Sequence, residues 1–417
     1  MNLNPIFVEK IIQSKLNYII IFIPFFLITG PFIPDLILTV SSIYFLTCAI
    51  IYKEFSLFKK FFFKVFLLFY FICVTSSLFS DYKLYSLKTS LPYIRFGLFF
   101  LLVYFYFIKD RNFLRNIFFV LAGSYIILIF DGFYQFLFGY NLFGNPILVN
   151  RVSSFFNDEL ILGSYISRFL PFLIGLSIYT GFIFKKNFDL SIYLIFFFSM
   201  ILTFVSGERT AFFFIVLIYL YYFFFWQRIS KRLLIVSLLS IFSIIVVLNF
   251  KNDLKNRMID LTKSQLTINQ NDGAKPMELY QGHFLVAFDL FKKNPVLGVG
   301  PKNFRKHCYN EKKYQTKPYY CTTHPHNTYF QLLAETGFLG FIVILSFLIS
   351  IIYNLIVYFY LFLFKKKKSK NDTYLSIALC ILISLWPFVP TGNFFNNFIN
   401  IIYFFPLGIY FALNNKN

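Results

Sequence analysis

The chain has 417 residues, of which 58% are hydrophobic, 23% aromatic and only 14% charged, and its formal net charge is +21. This apolar content exceeds what a soluble core buries, so the composition excludes an ordinary soluble enzyme. The positive charge does not indicate a nucleic-acid partner, because the lysines and arginines stand in short clusters between apolar segments rather than on one basic face.

Apolar segments long enough to cross a hydrocarbon layer of roughly 30 Å recur along the chain. They predict about 12 membrane-spanning helices, at residues 18–33, 36–52, 62–79, 91–108, 117–138, 160–184, 190–205, 210–226, 233–250, 338–364, 374–390 and 398–414. The fold class is therefore an all-α integral membrane protein. Residues 1–250 contain the first nine helices, residues 251–337 form one large loop between helices 9 and 10, and residues 338–417 contain the last three.

The basic clusters fall in alternate gaps between the predicted helices, which is the positive-inside pattern. The largest such clusters are Lys59–Lys60–Lys64, Lys109–Arg111–Arg115, Arg228–Lys231–Arg232 and Lys365–Lys368. Both chain termini are then cytoplasmic. On the outer side this leaves residues 139–159, the turn Ser206–Thr210 and the large loop.

All four histidines lie in the large loop, whose later half carries three short motifs. They are Pro295-Val296-Leu297-Gly298-Val299-Gly300, then His324-Pro325-His326-Asn327-Thr328-Tyr329, then Glu335-Thr336-Gly337-Phe338-Leu339-Gly340. We interpret Gly298-Val299-Gly300 as a tight backbone turn, because it lacks the flanking glycine and lysine of a phosphate-binding loop. We expect Gly337 and Gly340 to allow close packing between helices.

These motifs, together with the turn Ser206-Gly207-Glu208-Arg209, resemble the O-antigen ligase and O-antigen polymerase superfamily of bacterial inner-membrane glycosyltransferases. The resemblance implies transfer of a glycan on the periplasmic face. The donor is carried on undecaprenyl diphosphate in the membrane lipid, and the acceptor is a sugar hydroxyl of the lipid A-core or of another glycan. No cofactor is implied.

Glycosyl transfer from a diphosphate needs a base for the attacking hydroxyl and positive charge for the leaving group. The resemblance marks His326 as the catalytic base, and an imidazole is substantially neutral at neutral pH. Arg209 is the predicted diphosphate ligand, since a guanidinium binds phosphate oxygens in a bidentate fork. The competing interpretations are a structural histidine and an arginine that only reaches the interface, with Glu208 as its partner.

The superfamily usually carries a second arginine early in the loop, but residues 277–284 contain none. His283 and Arg305 are candidates for that contact, and Arg151 in the outer segment is a third candidate anion ligand. His324 and Asn327 flank the base and complete the predicted substrate-binding set. A structural role is the favoured interpretation of His324.

Cys308 and Cys321 lie in the outer loop, where an oxidising compartment permits a disulfide. The alternative is a metal site formed by these two cysteines with His324 and His326. Its spacing fits no common zinc pattern, so we predict a disulfide and no metal.

Two other classes of function remain open. Twelve spans are common in secondary transporters, although transporters usually place ionisable groups at mid-membrane in two related halves. A noncatalytic scaffold is the third class. Within the enzyme class, ligase and polymerase need the same residues, and we favour ligase.

Overall fold

The protein is described by a computed structural model that covers residues 3–182, 186–225, 227–266, 276–315, 320–365 and 372–414. Within these ranges the regular structure is helical, and the extended contacts are two isolated bridges, Tyr140 to Pro146 and Leu148 to Arg151. The α-helices in chain order are α1 Pro5–Gln13, α2 Leu16–Ile20, α3 Ile23–Phe26, α4 Phe32–Ile51, α5 Phe61–Leu78, α6 Lys83–Ser90, α7 Ile94–Lys109, α8 Phe113–Phe138, α9 Leu162–Tyr179, α10 Lys186–Val205, α11 Arg209–Phe225, α12 Gln227–Phe250, α13 Asn252–Lys255, α14 Leu261–Leu266, α15 Pro276–Lys293, α16 Phe304–Asn310, α17 Lys312–Gln315, α18 Thr328–Lys365, α19 Asp372–Ser384 and α20 Asn397–Asn414.

The prediction of an all-α, multi-pass membrane protein is confirmed. In the described ranges, 8 helices are long and apolar enough to cross a membrane, namely Phe32–Ile51, Phe61–Leu78, Lys83–Lys109, Phe113–Phe138, Leu162–Tyr179, Arg232–Phe250, Thr328–Leu361 and Asn397–Asn414. Three shorter apolar helices occupy other predicted positions, Leu190–Val205, Arg209–Phe224 and Asp372–Ser384. The count of 12 spans and the side on which the loop lies stay predictions.

Two predicted spans differ in the structure. The predicted helix at residues 18–33 is one half of a broken pair, Pro5–Gln13 and Leu16–Thr29, bent by 53°. Pro24 lies in the first turn of the short helix α3, where its missing N–H would have no partner within the helix. The predicted helix at residues 374–390 ends at Ser384, and Pro387 and Pro390 keep the following residues out of the helical conformation.

The bundle is built around α7 and α9, whose residues are almost all buried. Helix α9 packs against α8, α10, α11 and α19, while α7 packs against α4 and α20. By contrast, α12 and the later part of α18 expose much of their surface, as expected of helices that face lipid. Stacked and edge-on aromatic rings dominate the core of the bundle. One example is the pair Phe62 and Phe411, whose ring centroids lie 4.5 Å apart.

The large loop has a small hydrophobic core of its own. Its buried members are Val286, Ala287, Leu290, Val299, Phe304, Cys308, Tyr314 and Ala334. Helix α15 docks on the start of α18 through stacked rings of Phe284 and Phe330, 4.4 Å apart. The loop is therefore a packed unit that lies on the N-terminal end of α18.

Candidate functional site

Helix α18 is kinked at Gly337, where φ is +64° and ψ is −166°. The carbonyls of Ala334 and Glu335 that the kink frees accept hydrogen bonds from Val299 N (2.9 Å) and Gly300 N (3.0 Å). A Cβ on Gly337 would lie 2.3 Å from Val296 O, and one on Gly298 would lie 2.5 Å from Glu335 C. The predicted turn at Gly298 is confirmed. Gly337 packs on that turn rather than on another helix, so the expectation of a helix contact was wrong there.

Glu335 connects this kink to Arg305. Its carboxylate is fully buried and accepts a hydrogen bond from Phe304 N (3.1 Å), at the first residue of α16. A carboxylate at a helix N-terminus stabilises the helix dipole. Arg305, the next residue of α16, lies in electrostatic contact with both Glu335 and His324. The glutamate of the third motif thus supports the start of the helix that carries Arg305.

The segment that carries the histidines is held from both sides. On one side, Cys308 at the end of α16 is bonded to Cys321, with Cα atoms 5.3 Å apart. On the other side, Asn327 caps α18 by accepting from Tyr329 N (2.9 Å) and donates its amide to Pro387 O (2.7 Å). This capping occupies much of the side chain that the sequence predicted to bind substrate.

Thr391 fixes the two histidines of the second motif. Its N–H donates to His326 O (2.8 Å), and its carbonyl lies 3.3 Å from Nε2 of His324. His324 is also 3.0 Å from the Thr323 hydroxyl through Nδ1, so both of its ring nitrogens have partners. Neighbouring groups therefore engage both nitrogens of the His324 ring.

The side chain of His326 is less constrained. Its backbone is left-handed, with φ +57°, and the ring is partly exposed. Among the described residues its nearest hydrogen-bond partner is the Thr322 hydroxyl, 3.4 Å from Nε2, which is a weak contact. The centroid of the His326 ring lies 5.4 Å from that of His283 and 4.1 Å from that of His324. We call His283, His324 and His326 the histidine cluster.

Burial disfavours the protonated forms of His324 and His326. Desolvation, followed by the positive charge that His283 would carry, lowers the pKa of His326 to about 4. Desolvation, followed by the His326 charge, lowers the pKa of His324 to about 3. At neutral pH both rings are unprotonated, and a ring nitrogen of His326 is able to accept a proton.

A second group of side chains surrounds the turn between α10 and α11. Gly207 in this turn has φ +68°, and a Cβ there would lie 2.9 Å from Arg257 Nε and 3.1 Å from Arg151 Cγ. Arg257 donates to Gly207 O (2.9 Å), and Arg151 donates to Ser206 O (3.2 Å) and to Leu160 O (2.7 Å). Two guanidinium groups therefore bind the backbone carbonyls of this turn.

Arg209 begins α11 beside this turn and interacts electrostatically with both Arg151 and Arg257. Burial, together with the neighbouring arginine charges, lowers the pKa of Arg257, as expected where cations crowd together. We call Arg151, Arg209 and Arg257 the arginine cluster. The structure brings together two arginines predicted from the sequence and adds a third.

Glu208 caps α9 and lies beside the arginine cluster. It accepts hydrogen bonds from Gly163 N (2.7 Å), Ser164 N (3.0 Å) and the Ser164 hydroxyl (2.6 Å), and an oxygen lies 3.8 Å from Arg151. These bonds lower the pKa of Glu208 but do not overcome the effect of burial, which raises it. The carboxylate is therefore engaged by α9 as well as by an arginine.

The loop that carries Arg151 is tied to α8. The carboxylate of buried Asp131 accepts from Leu142 N (2.9 Å) and from the Ser154 hydroxyl, and Gln135 accepts from Ser153 N (3.0 Å). Buried carboxylates are retained where such bonds replace water. Asp131 therefore orders the loop that presents Arg151, which is a structural role for an ionisable residue in a span.

The two clusters lie at the same end of the bundle. Phe213, near the start of α11, packs on Trp386, one residue before the Pro387 that binds Asn327 (ring centroids 6.1 Å apart). Arg305 and His283 belong with the histidines, whereas Arg151 and Arg209 belong with Arg257. The predicted site residues thus divide into two neighbouring groups.

Residues 194–345 match the sequence model of the family described as O-Antigen ligase. The resemblance to the O-antigen ligase superfamily is confirmed. The matched segment contains Arg209, Arg257 and the histidine cluster, while Arg151 and Thr391 lie outside it. No curated protein matches the chain in a sequence comparison.

The part of the O-antigen ligase-like chain that the structure describes contains no group of three or more His, Cys, Asp or Glu side chains placed to hold a metal ion. Cys308 and Cys321 are joined to each other, so they are not thiolate ligands. The four-residue metal site weighed from the sequence is therefore not formed.

Two residues of the site were not identified from the sequence. Arg257 follows a span in a run of lysines and asparagines, and only its position before the family motifs was a signal. Thr391 directly follows the segment 374–390, which was predicted as helix. The proline pair at 387 and 390 indicates that this segment turns back toward the loop.

Proposed function

We propose that the protein is a glycosyltransferase of the periplasmic face of a bacterial inner membrane. It moves a glycan from undecaprenyl diphosphate to an acceptor sugar hydroxyl, and we assign it as an O-antigen ligase whose acceptor is the lipid A-core. The observation that carries this proposal is a neutral, partly exposed imidazole at the same end of the bundle as three clustered guanidinium groups. These are the two chemical functions that the reaction requires.

In the proposed reaction His326 accepts the proton of the acceptor hydroxyl. The hydroxyl oxygen forms a bond to the anomeric carbon of the donor glycan as the bond from that carbon to the phosphate oxygen breaks. Undecaprenyl diphosphate leaves with the bonding electron pair, and His326 later releases its proton to water. His324 and Thr391 hold the segment that orients the base, which supports catalysis by positioning.

Arg151, Arg209 and Arg257 bind the carrier diphosphate in this proposal. Each guanidinium stays charged and presents a planar set of donors to phosphate oxygens. The backbone bonds from Arg151 and Arg257 to the turn at Ser206–Gly207 hold two of them in place before the donor arrives. Arg257 takes the place of the loop arginine that residues 277–284 lack. Arg305 and His283 then contact the glycan or the acceptor.

The low pKa of His326 is matched to an anionic donor. The diphosphate brings negative charge to a partly desolvated site, and this charge favours the imidazolium form. Donor binding therefore raises the pKa of His326 from about 4 toward neutrality, where general-base catalysis is most effective. The free enzyme keeps the base unprotonated, and the complex increases its proton affinity.

Reconstitution tests this proposal. Purified protein in liposomes, given glycan-loaded undecaprenyl diphosphate and lipid A-core, should form the glycan-capped product. Because arginines neutralise the leaving group, the product should also form in EDTA. Strict dependence on a divalent ion would defeat the arginine part, and absence of transfer to any glycan acceptor would defeat the whole.

O-antigen polymerase is the alternative within the same chemistry. A deletion strain separates the two: loss of a ligase leaves uncapped lipid A-core, whereas loss of a polymerase leaves lipid A-core capped with a single repeat.

The orientation of the protein in the membrane is tested by reporter fusions. A fusion near Asn269, which lies outside the described residues, should be active as a periplasmic reporter, and one at the C-terminus as a cytoplasmic reporter.

A further inference from the structure

Arg168 is a buried arginine that the reaction described above does not use. It lies in α9, about 9 Å along the axis from the first residue of that helix by the rise of 1.5 Å per residue. Its exposed fraction is 9%. An ionisable side chain inside a membrane-spanning helix is costly and generally marks a ligand pathway or site.

The described part of the chain uses little of the hydrogen-bonding capacity of Arg168. Its one hydrogen bond there runs from Nη1 to Ser164 O at 3.3 Å, and its guanidinium carbon lies 5.8 Å from the centre of the Phe214 ring. A guanidinium has five N–H donors. The bond to Ser164 directs the side chain toward the outer end of α9, where Ser164 also binds Glu208.

Positive charge is in excess around this position. Arg151, Arg168 and Arg257 all interact electrostatically with Glu208. That single carboxylate already accepts hydrogen bonds from Gly163 and Ser164. One carboxylate cannot balance three guanidinium groups, so the site is complementary to an added oxyanion, and phosphate is the oxyanion that arginine forks fit.

Arg168 is also connected, through Tyr403 and Thr328, to the segment that carries the histidine cluster. It interacts with Tyr403 of α20, and the Tyr403 side chain contacts that of Thr328. Thr328 is two residues from His326 and bonded to Thr391 through their hydroxyls (3.1 Å). Arg168 therefore lies between the arginine cluster and the segment that carries the base.

We propose that Arg168 binds the sugar-linked phosphate of the donor, while the arginine cluster binds the lipid-linked phosphate. This inference rests on the proposed function. In a sugar diphosphate the phosphate nearer the base is the one bonded to the sugar. When the bond from the anomeric carbon to its oxygen breaks, that phosphate gains the electron pair. Arg168 stabilises charge that develops in the transition state, so its loss acts mainly on kcat.

The test compares Arg168→Gln with wild type in two assays. The first measures the Kd for the glycan-loaded undecaprenyl diphosphate donor without acceptor, and the second measures transfer at saturating donor. We expect kcat to fall by about 10²- to 10³-fold, the usual cost of removing one oxyanion donor, with Kd changed far less. Arg115→Gln is the matched control, since Arg115 also lies over a ring, that of Phe119 (5.8 Å), and should transfer normally.

If Arg168→Gln does not accumulate in the membrane, Arg168→Lys decides. It keeps the charge but loses the fork, so kcat should fall by at least about tenfold. The inference is overturned if either variant has the same kcat as the wild-type protein, in an experiment where the wild-type protein binds the donor and transfers the glycan. A wild-type protein that neither binds undecaprenyl diphosphate nor transfers defeats the proposed function instead.

Discussion

The arginine cluster and the histidine cluster are neighbours with opposite electrostatic behaviour: the arginines are charged, whereas His324 and His326 are not. The arginines keep their charge because backbone carbonyls and the carboxylate of Glu208 replace water around them. The histidines lose theirs because burial and mutual repulsion disfavour the protonated ring. The comparison teaches that one end of a bundle can offer fixed positive charge and a neutral base side by side, provided that each is supported by different partners.

The largest expected effect is on the neutral base. His326→Ala should lower transfer by about 10²- to 10⁴-fold while carrier binding persists, because general-base catalysis contributes that much. Transfer rates at equal membrane levels give the measurement. His324→Ala should cost less, since both of its ring nitrogens are bound by Thr391 and Thr323. A greater loss in His324→Ala than in His326→Ala would reverse the assigned roles.

A smaller effect is expected from removing one fixed charge. Arg257→Gln should weaken binding of undecaprenyl diphosphate about 10- to 100-fold, because a charged hydrogen bond is worth roughly 1.5–3 kcal/mol. Lys255→Gln removes one positive charge from the same turn of chain, but Lys255 is exposed, so its Kd should stay close to that of wild type. Equal weakening in the two variants would mean that only net charge matters.

The proton affinity of the base is tested by pH. A base must be unprotonated, so activity is lost as pH falls through its pKa. The profile of kcat/KM reports the free enzyme and should fall near pH 4, the pKa of buried His326, rather than near the ordinary histidine value of about 6.5. The profile of kcat reports the complex, and its acid limb should lie at higher pH. If the acid limbs of the kcat and kcat/KM profiles fall at the same pH, the proposed effect of the diphosphate on the pKa of His326 is contradicted.

The smallest effect concerns the turn beneath the arginines. Gly207→Ala places a side chain in a left-handed conformation that costs about 1–2 kcal/mol, and it pushes against Arg257 and Arg151. We expect a lower thermal midpoint and weaker carrier binding. Gly123→Ala is the control, because a Cβ there meets nothing within 4 Å and alanine favours the helix. An unchanged midpoint in Gly207→Ala would show that the turn has room to relax.

Patterns in the sequence were enough to predict the membrane class, most of the helices, the loop with its motifs, and His326 and Arg209 as the main candidates. The length of an apolar segment and the charges that flank it are local properties of the chain. They predict structure well in a membrane, because every backbone polar group within the lipid must be hydrogen-bonded inside the protein. The disagreements fell where apolar composition continued past a proline, at Pro24 and Pro387.

Which residues share a site depends on the tertiary structure. Arg151, Arg209 and Arg257 come from three separate segments, and they meet because α9 packs against α8 and α11 and because α11 packs against α12. Thr391 reaches the histidines because α19 ends early and its following segment turns back. Contacts between residues distant in sequence depend on the packing of whole helices, and desolvation depends on that packing too. Neither the clusters nor the lowered pKa of His326 can therefore be predicted from a local pattern.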